Sequence, residues 1–132
     1  MFRFVKWLME GKKLQLNGDG NQTRGFTFLD DIARGTIQAL KPVGYEIINL
    51  GGHESISMNE LITMLEKATG KKAVVEHHEF HKADMLANHA DVTKAGELLG
   101  WEAQVGLEEG IQRLVDWYVE NQSWAKNIDT GV

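Results

Sequence analysis

Gly18-Asp-Gly-Asn-Gln-Thr-Arg-Gly-Phe-Thr-Phe-Leu-Asp-Asp-Ile-Ala-Arg-Gly35 runs from a polar, glycine-rich stretch through a short apolar alternation into a helix start. Phe26-Thr27-Phe28 alternates as a strand does, and so does Leu14-Gln15-Leu16 upstream. The pair is expected as two strands joined by the flexible polar loop Asn17 to Gly25. Asp30 and Asp31 then open a helix whose positive N-terminal end favours carboxylates. Leu29, Ile32, Ala33, Ile37 and Leu40 keep the spacing of one helical face, and Lys41-Pro42 supplies the stop.

Working outward, Phe2, Val5, Trp7, Leu8 and Met9 ahead of Gly11 predict an amphipathic helix that begins almost at residue 1. Such an abrupt start hints at a chain cut from something longer. On the other side, Tyr45-Glu46-Ile47-Ile48-Asn49-Leu50 reads as a strand ending in Gly51-Gly52. Ser57 to Gly70 has the grammar of a helix: Ser57 and Glu60 form a capping box, Leu61, Ile62, Leu65 and Ala68 a buried stripe, and Gly70 the stop. Ala73 to His77 follows as a strand, and Phe80 to His89 as a polar irregular loop. Asp91 is the expected N-cap of a short helix ending at Gly100, with Ala95, Leu98 and Leu99 inward and Trp101 packing just after. One last long helix starts near Leu107 and carries Ile111, Leu114, Val115, Tyr118 and Ala125 on one face. The order αββαβαβαα lacks the regular βαβ alternation of a doubly wound sheet, so the fold class is a small, helix-rich α/β domain with short strands, single over 1–132.

At 132 residues and 42% apolar composition the chain fits one core, burying roughly two thirds of its unfolded surface. A formal charge of −5, with Lys and Arg scattered, lacks the electrostatic footprint of a nucleic-acid binder. Cysteine is absent, which excludes disulfides and thiolate chemistry. No apolar run approaches the ~20 residues of a membrane span, and Arg3 and Lys6 interrupt the N-terminal segment. A soluble, untargeted, cytoplasmic protein is the expectation.

Two constellations could carry chemistry. Arg24, just before a strand, offers a forked guanidinium of the kind that grips phosphate, although a surface ion pair is its blander role. His77, His78, His81 and His89 with Glu79, Asp84 and Asp91 are ligand types that zinc prefers. Their spacing counts against a metal site, since His78-Glu79-Phe80-His81 falls one residue short of the zinc-binding helical pair. No Gly-x-Ser-x-Gly elbow is present.

Taken in order, Gly18 to Gly35, Ile48-Asn-Leu-Gly-Gly52, Ala83-Asp84, Ala90-Asp-Val-Thr-Lys-Ala95, Leu98-Leu-Gly-Trp101, Leu107-Glu-Glu-Gly110 and Trp117-Tyr118 resemble the extended short-chain dehydrogenase/reductases that epimerise or dehydrate nucleotide sugars. The resemblance covers essentially the whole chain and implies the C-terminal, substrate-binding lobe of such an enzyme, without the Rossmann lobe. It implies a UDP- or dTDP-sugar bound between two lobes. Arg24 matches the family's diphosphate-binding arginine, Phe26 an apolar position beside the nucleotide, and Met58 the residue lining the base. Asp84 matches the aspartate on the ribose side, and Asn88 a neighbouring contact position. Gly25 stands where the family has aspartate, Ala83 where it commonly has glycine, and His81 where it has arginine or glutamine. A neutral His81 in place of a permanent charge implies weaker, pH-sensitive binding.

The family's cofactor is NAD, yet no strand, Gly-rich turn and helix in that order occurs here. The catalytic Tyr-x-x-x-Lys is also missing: Tyr45 is followed four residues on by Asn49, and Tyr118 by Gln122. The chain alone is therefore expected to bind no NAD and to be non-catalytic. Its expected partners are the sugar nucleotide and an NAD-binding lobe. The alternatives are a freestanding interaction or homo-oligomerisation module, and half of a split epimerase.

Overall fold

A computed structural model describes residues 1–80 and 84–131. In chain order the elements are α1 (Phe2–Glu10), β1 (Leu14–Asn17), β2 (Thr23–Gly25), α2 (Leu29–Gln38), β3 (Ser55–Ser57), α3 (Met58–Thr69), β4 (Val75–His78), β5 (Ala87–Asn88), α4 (Thr93–Leu99), α5 (Leu107–Glu120) and α6 (Gln122–Ala125). The mixed, helix-rich α/β class read from the sequence is the class observed.

The main core lies where α1, α3 and α5 pack together beside β1. Val5, Trp7, Leu8, Leu14, Leu61, Leu65, Ile111 and Tyr118 are among its buried members. The amphipathic spacing explains each helix, and local chemistry sets the ends. Ser57 Oγ accepts the Glu60 N–H (3.2 Å) while Glu60 Oε2 accepts the Ser57 N–H (2.8 Å), closing the expected capping box of α3. Lys6 is buried as well. Its ammonium donates to the carbonyls of Lys126 (2.5 Å) and Ile128 (2.7 Å), which ties the C-terminal stretch to α1.

A second, smaller cluster joins Ala95, Leu99, Trp101 and Ala103. Asp31 links it to α2. This carboxylate is fully buried; Oδ1 accepts the Gln104 N–H and Oδ2 the Val105 N–H, both at 3.0 Å, and Arg34 pairs with it at 2.7 Å. The Trp101 indole N–H donates to the Asp31 carbonyl (2.9 Å). Burial opposes ionisation of this carboxyl, but the Val105 and Gln104 N–H donors and Arg34 prevail and hold it below its ordinary value of 3.8.

Several expectations fail for identifiable reasons. The strand falls at Thr23–Gly25, not Phe26 to Phe28, because this stretch finds partners on both sides: β3 antiparallel along all of it (Arg24 opposite Ile56) and β5 parallel along Thr23 and Arg24 (Arg24 opposite Asn88). Phe28 becomes the N-cap residue of α2 instead. Nor do β1 and β2 form a hairpin, since β1 pairs in parallel with β4, Leu14 opposite Val75. Strand β4 itself begins at Val75 rather than Ala73 and runs on to His78. Strand β5 lies inside the stretch read as irregular. The last helix breaks at Asn121, whose backbone leaves the helical conformation (φ −104°) and whose side chain donates to the Trp117 carbonyl (2.9 Å) and accepts from the Trp124 indole (3.2 Å). Asp91 sits one residue before the N-cap Val92, although its carboxylate still accepts the Thr93 N–H (3.0 Å).

The most consequential difference concerns Tyr45 to Leu50. No strand forms there, because no strand among the described residues runs alongside it, and a ladder needs a partner. Tyr45 is 93% exposed, and Ile47 is exposed too. On α2, Leu29 and Ile37 are likewise exposed, and so is Leu40 just past its end, at 83%. The apolar spacing of α2 is real, but its face is uncovered.

Candidate functional site

Strand β2 exists because Thr23 and Arg24 have a neighbour on each edge and Gly25 one on β3, and that double pairing fixes where Arg24 emerges. Its Nη1 donates to the Thr23 carbonyl (2.8 Å) and its Nη2 to Asp84 Oδ1, forming a half-buried ion pair between residues far apart in sequence. Phe26 follows directly and packs against the main core, as does Met58 at the first turn of α3. Met58 holds its place because its N–H donates to the Gln22 carbonyl (3.2 Å) at the junction of β3 and α3.

Arg24, Phe26, Met58 and Asp84 line one open cavity of about 280 Å³. Of the residues singled out from the sequence, these four come together. Asn88 lies beside Arg24 as its backbone neighbour in β5, but its side chain is exposed and takes no part in the cavity wall. His81 lies outside the described residues. The wall also contains residues that motif reading missed: Arg3 and Phe4 from α1, Gln15 and Asn17 from β1, and Gln22. Gln15 and Asn17 had a legible signal, since they alternate with buried Leu14 and Leu16 and so share the opposite face of the strand. Gln22 is only 6% exposed; its amide donates to the Asn17 carbonyl (2.7 Å) while its Oε1 has no hydrogen-bond partner among the described residues.

The loop entering β2 is pinned rather than flexible. Asp19 accepts from the Asn21 backbone (3.0 Å) and side-chain amide (2.8 Å), and Asn59 on α3 donates to the Asp19 carbonyl (3.0 Å). Those Asn21 donors hold the Asp19 carboxyl below its usual range. Gly20, at φ 82°, passes so close to Asn59 that a Cβ would meet its side chain at 2.2 Å.

A larger cavity, about 480 Å³, lies between α1 and the C-terminal stretch, but its cations are already engaged. Lys12 pairs with Glu10 (2.8 Å), Lys13 with Glu76 (3.1 Å), and Lys6 with backbone carbonyls. The smaller cavity combines a guanidinium, an acidic partner and apolar wall, the composition suited to an anionic ligand with an apolar ring. Neither tyrosine reaches it. Tyr118 is buried and donates to Glu10 (3.3 Å), with burial and the Glu10 charge pushing its phenol up, and Tyr45 stands in solvent. Among the described residues no three His, Asp or Glu side chains gather as a metal site, and His77 bonds the Gly18 carbonyl (2.8 Å). No helix among them is long and apolar enough to cross a membrane.

Residues 2–114 match the family model for GDP-mannose 4,6 dehydratase. The chain is 53% identical over 129 residues to a UDP-glucuronate 4-epimerase of Thermodesulfobacterium geofontis, covering 97% of this chain and 40% of that protein. It is 31% identical over 133 residues to dTDP-glucose 4,6-dehydratase 1 of Escherichia coli, covering 93% and 37% respectively. Among solved structures, the Bacillus cereus UDP-glucuronic acid 4-epimerase in complex with UDP-glucuronic acid and NAD superposes with a TM-score of 0.84 at 37% identity, covering 90% of this chain and 39% of that one. The chain thus spans about two fifths of the length of these relatives. It belongs to the NAD-dependent nucleotide-sugar epimerase and dehydratase family, within the extended short-chain dehydrogenase/reductases, and corresponds to the C-terminal portion of its members.

Proposed function

We propose that this chain is a sugar-nucleotide-binding lobe, taking a UDP- or dTDP-sugar in the Arg24–Asp84 cavity and performing no hydride chemistry by itself. One observation carries the reading: Arg24, Phe26, Met58 and Asp84, drawn from three separate stretches of the chain, line a single cavity. In it, Arg24 meets the diphosphate, Phe26 and Met58 flank the nucleoside, and Asp84 orients Arg24 while facing the ribose. The NAD named with the Bacillus cereus structure does not fit this chain's residues. After β1 the glycine-rich loop leads into β2, not into a helix N-terminus, so no backbone N–H cluster faces a pyrophosphate there. Hydride transfer belongs, in this reading, to the length of the relatives that the chain does not span.

Two-dimensional NMR of the labelled chain titrated with UDP-glucose or dTDP-glucose checks this. The Arg24, Met58 and Asp84 amides should shift, and Arg24→Ala should weaken the response by about tenfold or more. A flat titration at millimolar ligand removes the binding claim.

The uncovered face of α2 and Tyr45 to Leu50 favours a second element of the reading, a protein partner. An NAD-binding lobe is the proposed occupant, with a second copy of the chain as the rival. Light scattering separates them: a monomer that responds to sugar nucleotide supports the lobe, whereas a concentration-independent dimer with no ligand response makes the chain an oligomerisation module.

A further inference from the structure

Arg3 lines the same cavity as Arg24 but stands in a different electrostatic position. Arg24 already has a carboxylate, Asp84, within its hydrogen-bonding reach, so that pair is close to neutral as a unit. Arg3 has no salt-bridge partner among the described residues, and the first turn of α1 contains no acidic residue to screen it. Its guanidinium carbon sits 5.0 Å from the Trp7 ring centroid, one helical turn on. The ring restrains Arg3 on its face without neutralising it. Among the described residues, Arg3, Arg24 and Asp84 are the charged side chains of the cavity wall, with the Met1 α-amino group beside Arg3, so the surplus side-chain cation there is Arg3.

A sugar nucleotide carries a negative charge on each of its linked phosphoryl groups, and the Arg24–Asp84 pair cannot balance both. Taking the sugar-nucleotide reading above as its basis, we infer that Arg3 is a second diphosphate-binding residue, held ready on Trp7 and supplying the charge that Asp84 withholds from Arg24. An arginine on Trp7 loses less side-chain freedom on binding than one free in solvent, which makes the position more than a diffuse attraction.

The test is titration of the full chain with UDP, comparing wild type, Arg3→Gln and Arg3→Lys, each also followed by its melting curve. Arg3→Gln should weaken UDP binding about three- to tenfold at low salt, with Arg3→Lys recovering most of the loss. The gap between wild type and Arg3→Gln should narrow as salt rises, because partly exposed charges are screened. Equal affinity of wild type and Arg3→Gln overturns the inference. So does an Arg3→Lys variant as weak as Arg3→Gln at unchanged melting temperature, since that makes the contribution one of shape over Trp7 rather than charge. A wild-type chain that gives no response to UDP removes the sugar-nucleotide reading along with Arg3's role. A wild-type response that the variants leave untouched removes Arg3 alone.

Discussion

Asp31→Ala is expected to destabilise the chain by about 3 kcal/mol, equivalent to a fall in melting temperature of about 10 °C. The magnitude follows from what the carboxylate satisfies. Its oxygens, themselves shut off from solvent, take the backbone N–H groups of Gln104 and Val105 and pair with the partly exposed Arg34. Alanine leaves two backbone donors without acceptors and a guanidinium without its partner, and each loss carries a desolvation cost. The acid dependence has a definite sign. The folded-state pKa is lowered, so the contribution is complete above about pH 4 and is lost as pH falls through the lowered folded value. Other carboxyls in the chain are lowered too, Glu66 and Asp91 among them, so total stability will fall in acid whatever Asp31 does. The informative quantity is the difference between wild type and Asp31→Asn in melts from about pH 7 to pH 2.5, which should shrink only at the acid end. A constant difference across that range would mean that the Asp31 charge contributes nothing.

Gly52→Ala should be comparably damaging and should also reach the cavity. A Cβ at Gly52 would lie 1.8 Å from the Phe26 carbonyl oxygen, and backbone cannot swing aside as a side-chain tip can. The Gly52 N–H donates to Thr27 Oγ1 (2.7 Å), so the two segments are clamped together at that point. Relief requires moving residues 26–27, and Phe26 is part of the cavity wall. The expected outcome is a loss of about 2–3 kcal/mol together with a weakened UDP response. Gly96→Ala is the control: it sits inside α4, a Cβ there meets nothing nearer than 3.9 Å, and alanine favours helix, so stability should hold or rise by up to about 1 kcal/mol. If Gly52→Ala behaves like Gly96→Ala, the clamp is not rigid.

Helices were legible from the sequence where periodicity and end signals agreed. The α3 reading came through with its capping box and left-handed Gly70, and α1 with its stop at Gly11, because both patterns are encoded within a single turn of chain. Strands were harder. Phe26-Thr27-Phe28 alternates correctly yet forms no strand, while Thr23–Gly25 does, since pairing depends on Ser55–Ser57 and Ala87–Asn88, far off in sequence. Tyr45 to Leu50 fails for the opposite reason: the pattern is present, and no neighbouring strand is found among the described residues. In the site, Arg24 and Asp84 were found because the family motifs carry them. Arg3 and Gln22 were not, because a helix residue and a loop amide announce nothing until α1 and β1 are placed beside β2.

The pinned loop at Asp19 to Asn21 bears on how any ligand would bind. Asn59 and Asp19 hold this stretch, and with it the approach to Arg24, in one shape before a ligand arrives. Little chain entropy then remains to be lost on association. An encounter with an anion would be governed by diffusion and charge rather than by waiting for a loop to order, and the binding free energy left over would be available to favour one orientation of a partner over another.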